Sequence, residues 1–341
     1  MSSLTWLGAN GFDYNPDNMV APAPSPGQVV VRVRSVGICG TDVHILQGHF
    51  PLARPPLILG HEIAGEIAAV GAAITKVRVG DRVTVDQVVG CGCCRFCQRG
   101  SAQFCSSGYE LGITKDGGCQ TYLVLPEVNV YPIPPAISFE EAAVLDMEVW
   151  AALSKPGIQQ GDSVVVIGAG PAGLIAAQLA RVMGSHKVVL VARSPDRLHM
   201  AQQLGFADVV LSSQSPRFAE QIKVETHGFG ADLTIDCAGT EESAKLAIGC
   251  TIPGGRVVLF GVYPGPLPQF DVNQIVLRDL VVYGALSDRR GWEDVIALVS
   301  AGKLRLAPLI THRFPLSEAP NAYSLVAAKA PGMMKAVLEI D

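Results

Sequence analysis

The sequence carries little charge, few aromatic side chains and no excess of basic residues. Of its 341 residues 17% are charged and 6% aromatic, and 26 basic against 31 acidic side chains give a formal net charge of −5. Proteins that bind phosphate backbones need a basic surface, so we do not expect a nucleic-acid partner. The 49% hydrophobic content instead predicts a folded chain with a large core, and the length is typical of about two domains.

Signals for export and for membrane insertion are also missing. Residues 1–12 contain no basic region followed by an apolar run, so we expect no secretory signal. The uncharged stretch 163–180 is long enough to imitate a membrane span, but three glycines and a proline interrupt it. That pattern favours a buried strand, a tight turn and a helix. We therefore expect a soluble, cytoplasmic protein without a membrane partner.

The first part of the chain has the pattern of a β domain. Short β-branched runs alternate there with glycine, proline and asparagine, at 28–36, 62–70, 82–88 and 120–125. This spacing predicts an all-β, partly open barrel with long loops. An alanine-rich helix is expected at 139–154.

From residue 163 onward, predicted strands alternate with predicted helices. The expected strands are 164–167, 188–191, 209–211, 233–237, 256–261 and 280–284, and the expected helices are 172–183, 196–204 and 243–250. Such alternation predicts an α/β domain with a doubly wound parallel sheet. A helix at 292–300 and β segments at 310–314 and 334–340 then resemble a return to the first domain. The expected domains are 1–152, 153–285 and a returning segment 286–341.

Five of the nine cysteines fall in one short loop, which is too crowded for a disulfide framework. Without an export signal the thiols should stay reduced, and a reduced cluster indicates metal ligation. The spacing Cys91-x2-Cys94-x2-Cys97-x7-Cys105 supplies the four thiolates of a tetrahedral zinc site. Cys93 is surplus and could replace Cys94. Four thiolates leave no open coordination position, so this zinc would hold a lobe folded rather than catalyse.

A second, dispersed metal site is suggested by Cys39 and His61. Cys39 follows one predicted strand and His61, in Gly60-His61-Glu62, precedes another. A thiolate, an imidazole and a third ligand would leave one zinc position open, as a catalytic zinc requires. A buried cysteine and a hydrogen-bonded core histidine are the simpler interpretation of these two residues taken alone.

The segment Gly168-Ala-Gly170-Pro171-Ala172-Gly173 follows an apolar strand and opens a helix. In that context it predicts a dinucleotide site in which glycines permit a tight turn and close packing. The helix N-terminus would face the two phosphates. The candidate cofactor contacts in this segment are therefore Gly168, Gly170, Pro171, Ala172 and Gly173.

The end of the next strand bears on which coenzyme is used. An NAD site would place an acidic residue there to hold the ribose hydroxyls, but Ala192 stands at that position, followed by Arg193 and, one turn later, Arg197. Guanidinium groups can bind a 2′-phosphate, so NADP(H) is favoured over NAD(H). In the alternative interpretation Arg193 is a solvated loop residue and Asp196 holds the ribose.

Several motifs occur in a characteristic order along nearly the whole chain. They are Cys39-Gly-Thr-Asp-Val-His44, Gly60-His-Glu62, Gly80-Asp-Arg-Val83, the four-cysteine loop, the 168–173 turn and Thr311-His-Arg-Phe-Pro-Leu316. Together they resemble the zinc-dependent medium-chain dehydrogenases, especially the sorbitol, threonine and secondary-alcohol group. The resemblance implies a GroES-like barrel domain with a Rossmann domain, two zinc ions per chain and a homodimer or homotetramer. Cys237 and Ala238, where strand 233–237 ends, are further expected cofactor contacts.

The resemblance also implies a ligand set for the catalytic zinc. Cys39 and His61 would be joined by a third ligand after the stretch Glu141-Ala-Ala, which makes Asp146 the candidate. Glu148 competes for that assignment, because a small shift in alignment would exchange the two carboxylates.

Neighbouring residues receive supporting roles. Glu62 would be either an intermittent ligand or a carboxylate just outside the ligand set, and Asp42 would orient His61 through its free ring nitrogen. Thr41 and His44 would pass the alcohol proton towards solvent, since histidine titrates near neutral pH. Sorbitol-type relatives usually carry an aromatic residue after the motif histidine. Ile45 stands there in this sequence, which favours a less polar or shorter substrate.

The expected activity is hydride transfer between NADP(H) and a secondary alcohol or ketone, such as a sugar, polyol or related small hydroxy compound. An NAD-dependent, threonine-type amino-alcohol dehydrogenase is the alternative within the enzymes. A non-catalytic nucleotide-binding or structural relative is the alternative outside them. The presence of Cys39, His61 and Asp146 argues against this last alternative, because such a protein needs no open metal site.

Overall fold

The computed structural model describes residues 2–16, 21–263 and 265–341. The chain divides into two compact units. The first unit comprises Met1–Leu145, Asp288–Gly302 and Leu306–Asp341, and the second comprises Asp146–Ser287 and Lys303–Arg305.

Both units are built from strands and helices that are numbered here along the chain. The strands are β1 (Ser3–Trp6), β2 (Phe12–Asn15), β3 (Gln28–Ile38), β4 (Leu57–Ile58), β5 (Glu62–Val70), β6 (Arg82–Val85), β7 (Val88–Val89), β8 (Tyr109–Glu110), β9 (Tyr122–Pro126), β10 (Val130–Pro132), β11 (Ser163–Ile167), β12 (Lys187–Ala192), β13 (Val209–Ser212), β14 (Ala231–Asp236), β15 (Thr251–Leu259), β16 (Val281–Gly284), β17 (Ile310–Pro315) and β18 (Lys335–Glu339). The helices are α1 (Gly40–Leu46), α2 (Phe139–Ala143), α3 (Met147–Ser154), α4 (Pro171–Val182), α5 (Pro195–Leu204), α6 (Phe218–Glu225), α7 (Glu241–Cys250), α8 (Asn273–Val276), α9 (Trp292–Ser300) and α10 (Ala319–Ala327).

The first unit is organised around β3, the long central strand of a mostly antiparallel sheet. The strand order is β10-β6-β5-β3-β18-β17, and β9 also pairs with β3. Only the β17–β18 pair of this sheet is parallel among the described strands. Most of β3 is buried, including Val29–Val31 and Ser35–Ile38, and its half-buried residues are Gln28, Arg32 and Arg34, as expected of a strand at the centre of a sheet. The predicted partly open β-barrel fold is confirmed.

The second unit is a parallel sheet of order β13-β12-β11-β14-β15-β16 with intervening helices. The order reverses between β11 and β14, which makes their carboxyl ends the switch point where such sheets bind ligands. Every residue of β11 is buried, as befits a central strand covered on both faces. The predicted doubly wound fold is confirmed. No helix in the described ranges has both the length and the apolar character needed to cross a bilayer.

The single helix expected at 139–154 is two helices, α2 and α3. They are separated at Asp146, whose side chain accepts a hydrogen bond from the Val149 N–H at 3.0 Å and so begins α3. Aspartate is a preferred N-cap because it satisfies an N–H group that the first helical turn leaves free. The run of alanines concealed this local competition.

Candidate active site

Asp42 is a fully buried carboxylate that organises the beginning of α1. The helix follows directly on β3, with Cys39 as its N-cap. Asp42 Oδ2 accepts a hydrogen bond from the Cys39 backbone N–H at 2.9 Å. A first-turn carboxylate that binds back to the N-cap in this way fixes the entry of the chain into the helix. The bond therefore determines where the Cys39 thiol leaves the backbone.

His61 faces the other oxygen of the same carboxylate. Its Nδ1 lies 3.3 Å from Asp42 Oδ1, and neither atom finds another hydrogen-bond partner among the described residues. Burial lowers the pKa of His61, but the charges and hydrogen bonds of Asp42 and Cys39 raise it by more, to well above its ordinary value. The pocket thus favours a positive charge. An imidazole held at Nδ1 leaves Nε2 available to a metal.

Cys39, His61 and Glu62 offer three ligand atoms within 4.8 Å of one another. A thiolate, an imidazole and a carboxylate are ligands that zinc accepts, and at ordinary bond lengths a tetrahedral site separates them by about 3.3–3.8 Å. The three side chains therefore fit one metal ion after small side-chain movements. The structure therefore brings Cys39, at the start of α1, next to His61 and Glu62, at the start of β5.

Glu62 also forms a partly buried ion pair that the sequence analysis missed. Lys335 Nζ, on β18, lies 2.6 Å from the Glu62 carboxylate, and the lysine side chain is only 8% exposed. A Cβ atom at Gly37 would lie 2.0 Å from Glu62 Oε2, so glycine is needed to leave room for the carboxylate. In the sequence, a lysine directly before the apolar run 336–338 is the signal that could have indicated this pair.

Thr41 and His44 extend from Cys39 along α1. The Thr41 hydroxyl lies 3.8 Å from Cys39 Sγ, and residues three apart share one face of a helix. Burial, followed by electrostatic interaction with His49 and Lys329, lowers the pKa of His44. The His44 ring is therefore neutral near pH 7 and can accept a proton.

Asp146 and Glu148 belong to the second unit, at the start of α3. The N-cap bond to Val149 orients the Asp146 carboxylate relative to that helix. Glu148 lies in the first turn of the same helix. Cys39 and His61 lie in the first unit.

The cysteine loop forms a compact sulfur cluster. The Sγ atoms of Cys91, Cys94, Cys97 and Cys105 lie within 4.8 Å of one another, and those of Cys91 and Cys97 are 4.0 Å apart. Four thiolates at about 2.3 Å from a tetrahedral zinc are separated by about 3.8 Å. Backbone N–H groups point at the sulfurs and lower the pKa of Cys91 to about 6. The cluster fits a zinc ion closely.

Cys93 lies beside this cluster rather than within it. Its Sγ is 3.5 Å from that of Cys91, and the group of four sulfurs contains Cys94 instead. Between the two arrangements that the spacing leaves open, the geometry favours Cys94.

The turn after β11 is closed by two glycines. Gly168 has φ +105°, and a Cβ atom there would lie 3.2 Å from the Ala238 backbone nitrogen. At Gly173 a Cβ atom would lie 1.7 Å from the Gly168 carbonyl oxygen and 3.7 Å from the Cys237 Cβ. The turn therefore packs directly against the loop that follows β14, at the edge where a parallel sheet binds its ligand.

The N-terminus of α4 has the features of an anion site. Gly170 is the N-cap without a side-chain cap, and Pro171 is the first helical residue. The N–H groups that follow, from Ala172 onward, point out of the helix end. Arg197 Nη1 lies 3.6 Å from the position of a Cβ at Gly170. A guanidinium beside a helix N-terminus can hold a phosphate.

The end of β12 exposes the residues that bear on coenzyme choice. Ala192 is the last residue of the strand, Arg193 is exposed directly after it, and Asp196 is exposed in the first turn of α5. Backbone hydrogen bonding, a hydrogen bond with Thr240 and the nearby Arg193 charge lower the pKa of Glu242. Sequence reasoning missed this carboxylate near Arg193, because Glu242 comes from another strand–helix unit.

Comparison with known proteins gives the family. A model for the alcohol dehydrogenase GroES-like domain matches residues 25–135, and one for zinc-binding dehydrogenases matches residues 171–301. The chain is 34% identical to a sorbitol dehydrogenase of Halalkalibacterium halodurans, over 89% of this chain and 90% of the relative. It is 33% identical to an L-threonine 3-dehydrogenase of Pyrococcus abyssi, over 93% of each.

Two solved structures are also similar to this chain over nearly their whole length. An alcohol dehydrogenase from Escherichia coli CFT073 complexed with NADH has a TM-score of 0.90, 31% identity and 99% coverage of both chains. A zinc-binding dehydrogenase target from Sinorhizobium meliloti 1021 bound to NADP has a TM-score of 0.89 and 29% identity, with 99% of this chain and 98% of that one covered. The chain belongs to the zinc-dependent medium-chain dehydrogenase family, oxidoreductases that act on CH–OH groups.

Replacing Asp42 should loosen the metal site without dismantling it. In Asp42→Asn the amide oxygen can still accept from Cys39 N–H, but the negative charge opposite His61 is lost, and we expect about 10–100-fold weaker zinc binding. Competition with a chelator at controlled free zinc measures this. Asp81→Asn, on an exposed turn of the same unit, serves as the control. Unchanged zinc affinity in Asp42→Asn would contradict the assigned role.

Proposed function

We propose that the protein is an NADP(H)-linked, zinc-dependent oxidoreductase that interconverts a secondary alcohol and its ketone, the substrate being a sugar, polyol or related small hydroxy compound. The convergence of Cys39, His61 and Glu62 within 4.8 Å carries the catalytic part of the proposal. Ala192 in place of an acidic residue at the end of β12, followed directly by Arg193, carries the coenzyme part.

Two zinc ions per chain are proposed. Cys39, His61 and Asp146 would hold the catalytic ion, with Glu62 exchanging between that ion and Lys335, while the four-cysteine cluster would hold the structural one. The bound cofactors would supply a Lewis acid for the substrate oxygen and a hydride carrier for its carbon. Asp42 keeps His61 in the orientation and tautomer that binding requires.

The dinucleotide would bind at the carboxyl edge of the parallel sheet. Gly168, Gly170 and Gly173 let the backbone approach the pyrophosphate, whose charge the N-terminus of α4 stabilises at Pro171 and Ala172. Cys237 and Ala238 pack against this turn, so they would line the same site.

Proton transfer is assigned to α1. Thr41, beside Cys39 Sγ, would take the proton of the substrate hydroxyl, and His44 would pass it to solvent. The lowered pKa of His44 keeps its ring neutral and able to accept. Such relays let a buried alcohol exchange its proton while the site excludes bulk water.

The proposed substrate class rests on the relatives and on the environment of Ile45. The sorbitol and threonine dehydrogenases among the relatives differ in substrate while sharing this architecture. Ile45 is 1% exposed and packs in the core of the first unit, so it supplies no aromatic wall to a pocket. That favours a less polar or shorter substrate than a hexitol.

An NAD-dependent threonine-type dehydrogenase is the second candidate, supported by the exposed Asp196 near the expected position of the ribose. A non-catalytic nucleotide-binding relative is disfavoured by the fit of Cys39, His61 and Glu62 to a metal.

Coenzyme titration tests the first candidate against the second. We expect NADPH to bind at least tenfold more tightly than NADH, about 1.4 kcal/mol, because Arg193 and Arg197 hold the 2′-phosphate. Arg193→Ala should weaken NADPH binding selectively, whereas Arg217→Ala, at an exposed arginine directly before α6 in the same unit, should change the binding of neither coenzyme. Equal or tighter binding of NADH would favour Asp196 as the ribose ligand. A screen would then begin with NAD and the oxidation of polyols and amino alcohols.

The third zinc ligand can be identified by two amide substitutions. Asn caps helices as well as Asp, so Asp146→Asn should keep α3 intact while removing a carboxylate ligand. We expect it to retain about one zinc per chain and no turnover, and Glu148→Gln to retain about two zinc and activity. Metal analysis with an alcohol assay measures both. The reverse pattern would make Glu148 the ligand.

A homodimer through the edge of the parallel sheet is also proposed. Strand β16 ends that sheet. Its first residue, Val281, is 47% exposed, and Val276 and Leu277, shortly before it in the chain, are 66% and 80% exposed. Unpaired apolar edges are usually covered. Light scattering should give at least a dimer mass, reduced to the monomer by Val281→Asp. A monomeric wild-type protein would contradict this assembly.

A further inference from the structure

Asp236 is a second fully buried carboxylate, at the last position of β14. Its Oδ1 accepts hydrogen bonds from the backbone N–H groups of Ala238 and Gly239 at 2.8 and 3.4 Å. Its Oδ2 accepts from the hydroxyls of Ser243 at 2.8 Å and Tyr263 at 2.5 Å. A buried charge is tolerated only when hydrogen bonds satisfy it, so these four donors hold the carboxylate in place.

The donors connect two loops at the carboxyl edge of the parallel sheet. Residues 237–240 follow β14, and residues 260–263 follow β15. The first loop contacts the glycine turn, because a Cβ atom at Gly168 would lie 3.2 Å from the Ala238 nitrogen. The second loop adjoins the first. The first loop therefore lies at the switch point where this sheet type binds ligands, and the second lies beside it at the same edge.

The two loops contact each other backbone to backbone. A Cβ atom at Gly261 would lie 2.3 Å from the Gly239 nitrogen, and one at Gly239 would lie 2.6 Å from the Val262 carbonyl oxygen. The Asp236 carbonyl oxygen accepts from the N–H groups of Phe260 and Gly261 at 3.0 and 2.9 Å. These contacts hold the beginning of the second loop.

Tyr263 holds the other end of the second loop. Its hydroxyl crosses to Asp236 Oδ2, while the intervening Val262 is 56% exposed. Burial, followed by the hydrogen bond and charge of Asp236, raises the pKa of Tyr263 well above its ordinary value. The phenol therefore keeps its proton near neutral pH and donates a hydrogen bond to the Asp236 carboxylate.

We propose that the Tyr263–Asp236 hydrogen bond holds the loop 260–263 in the conformation that receives the dinucleotide, which makes Tyr263 a positioning residue for coenzyme binding. The inference rests on the proposed dinucleotide site but not on the choice of coenzyme or substrate. A loop that is already ordered loses less entropy when a ligand binds. Without this bond the binding-competent conformation is a smaller fraction of the population, and the apparent dissociation constant rises by the inverse of that fraction.

The test is direct titration of Tyr263→Phe with NADPH and with NADH, in which intrinsic protein fluorescence and nucleotide fluorescence report binding. We expect both dissociation constants to rise by at least about fivefold, roughly the value of one hydrogen bond, and by the same factor, because the loop lies apart from the residues assigned to the 2′-phosphate. Calorimetry should show a less favourable binding entropy for the variant. Arg193→Ala differs by affecting NADPH alone.

Tyr283→Phe is the matched control, since it also removes a tyrosine hydroxyl from the same unit, but from β16. It should leave both constants unchanged. If Tyr263→Phe lowers the unfolding temperature but binds both coenzymes as tightly as the wild type, the tyrosine is only structural and the inference is wrong. Failure of the wild-type protein to bind either coenzyme would instead overturn the proposed function, and this inference with it.

Discussion

The buried carboxylate of Asp42 is the constraint on which the proposed metal site depends. One oxygen holds the Cys39 backbone at the start of α1, and the other faces His61 at the start of β5. A single side chain thus places a thiol and an imidazole that come from different elements. A buried carboxylate is costly unless polar or charged groups face its oxygens. Moving Cys39 or His61 away from Asp42 would therefore cost free energy, which keeps both residues in place. The negative charge it contributes favours a cation between the two ligands, and the Glu62–Lys335 pair keeps a third candidate ligand nearby.

The second unit uses the same physical device for a different purpose. Asp236 is also fully buried, and it accepts hydrogen bonds from separate segments at the carboxyl edge of the sheet. In the first unit the carboxylate contacts the proposed metal ligands, whereas in the second it joins loops that would receive a nucleotide. In both units the carboxylate is buried and would act through the groups that it positions. This division agrees with a fold in which the strands supply rigidity and the loops at their ends supply chemistry.

Much of the architecture could be predicted from local spacing. The four cysteines and the glycine turn are recognisable because metal ligation and close backbone approach each require particular residues a few positions apart. Buried parallel strands are recognisable as apolar runs. The start of α3 at Asp146 was missed because an N-cap competes with alanine-rich helix propensity. Lys335 and Tyr263 were missed because their partners lie 273 and 27 residues away, and no short-range pattern records a contact made by folding. The preference between Cys94 and Cys93 likewise needed the positions of the sulfur atoms.

The most direct test of the account is anomalous diffraction at the zinc absorption edge from crystals of the zinc-loaded protein. We expect two strong peaks per chain, one among the sulfurs of Cys91, Cys94, Cys97 and Cys105 and one bonded to Cys39 Sγ and His61 Nε2 with an open coordination position. A single peak at the cysteine cluster, with His61 and Cys39 bound to no metal, would contradict the proposal that this chain is a zinc-dependent catalyst.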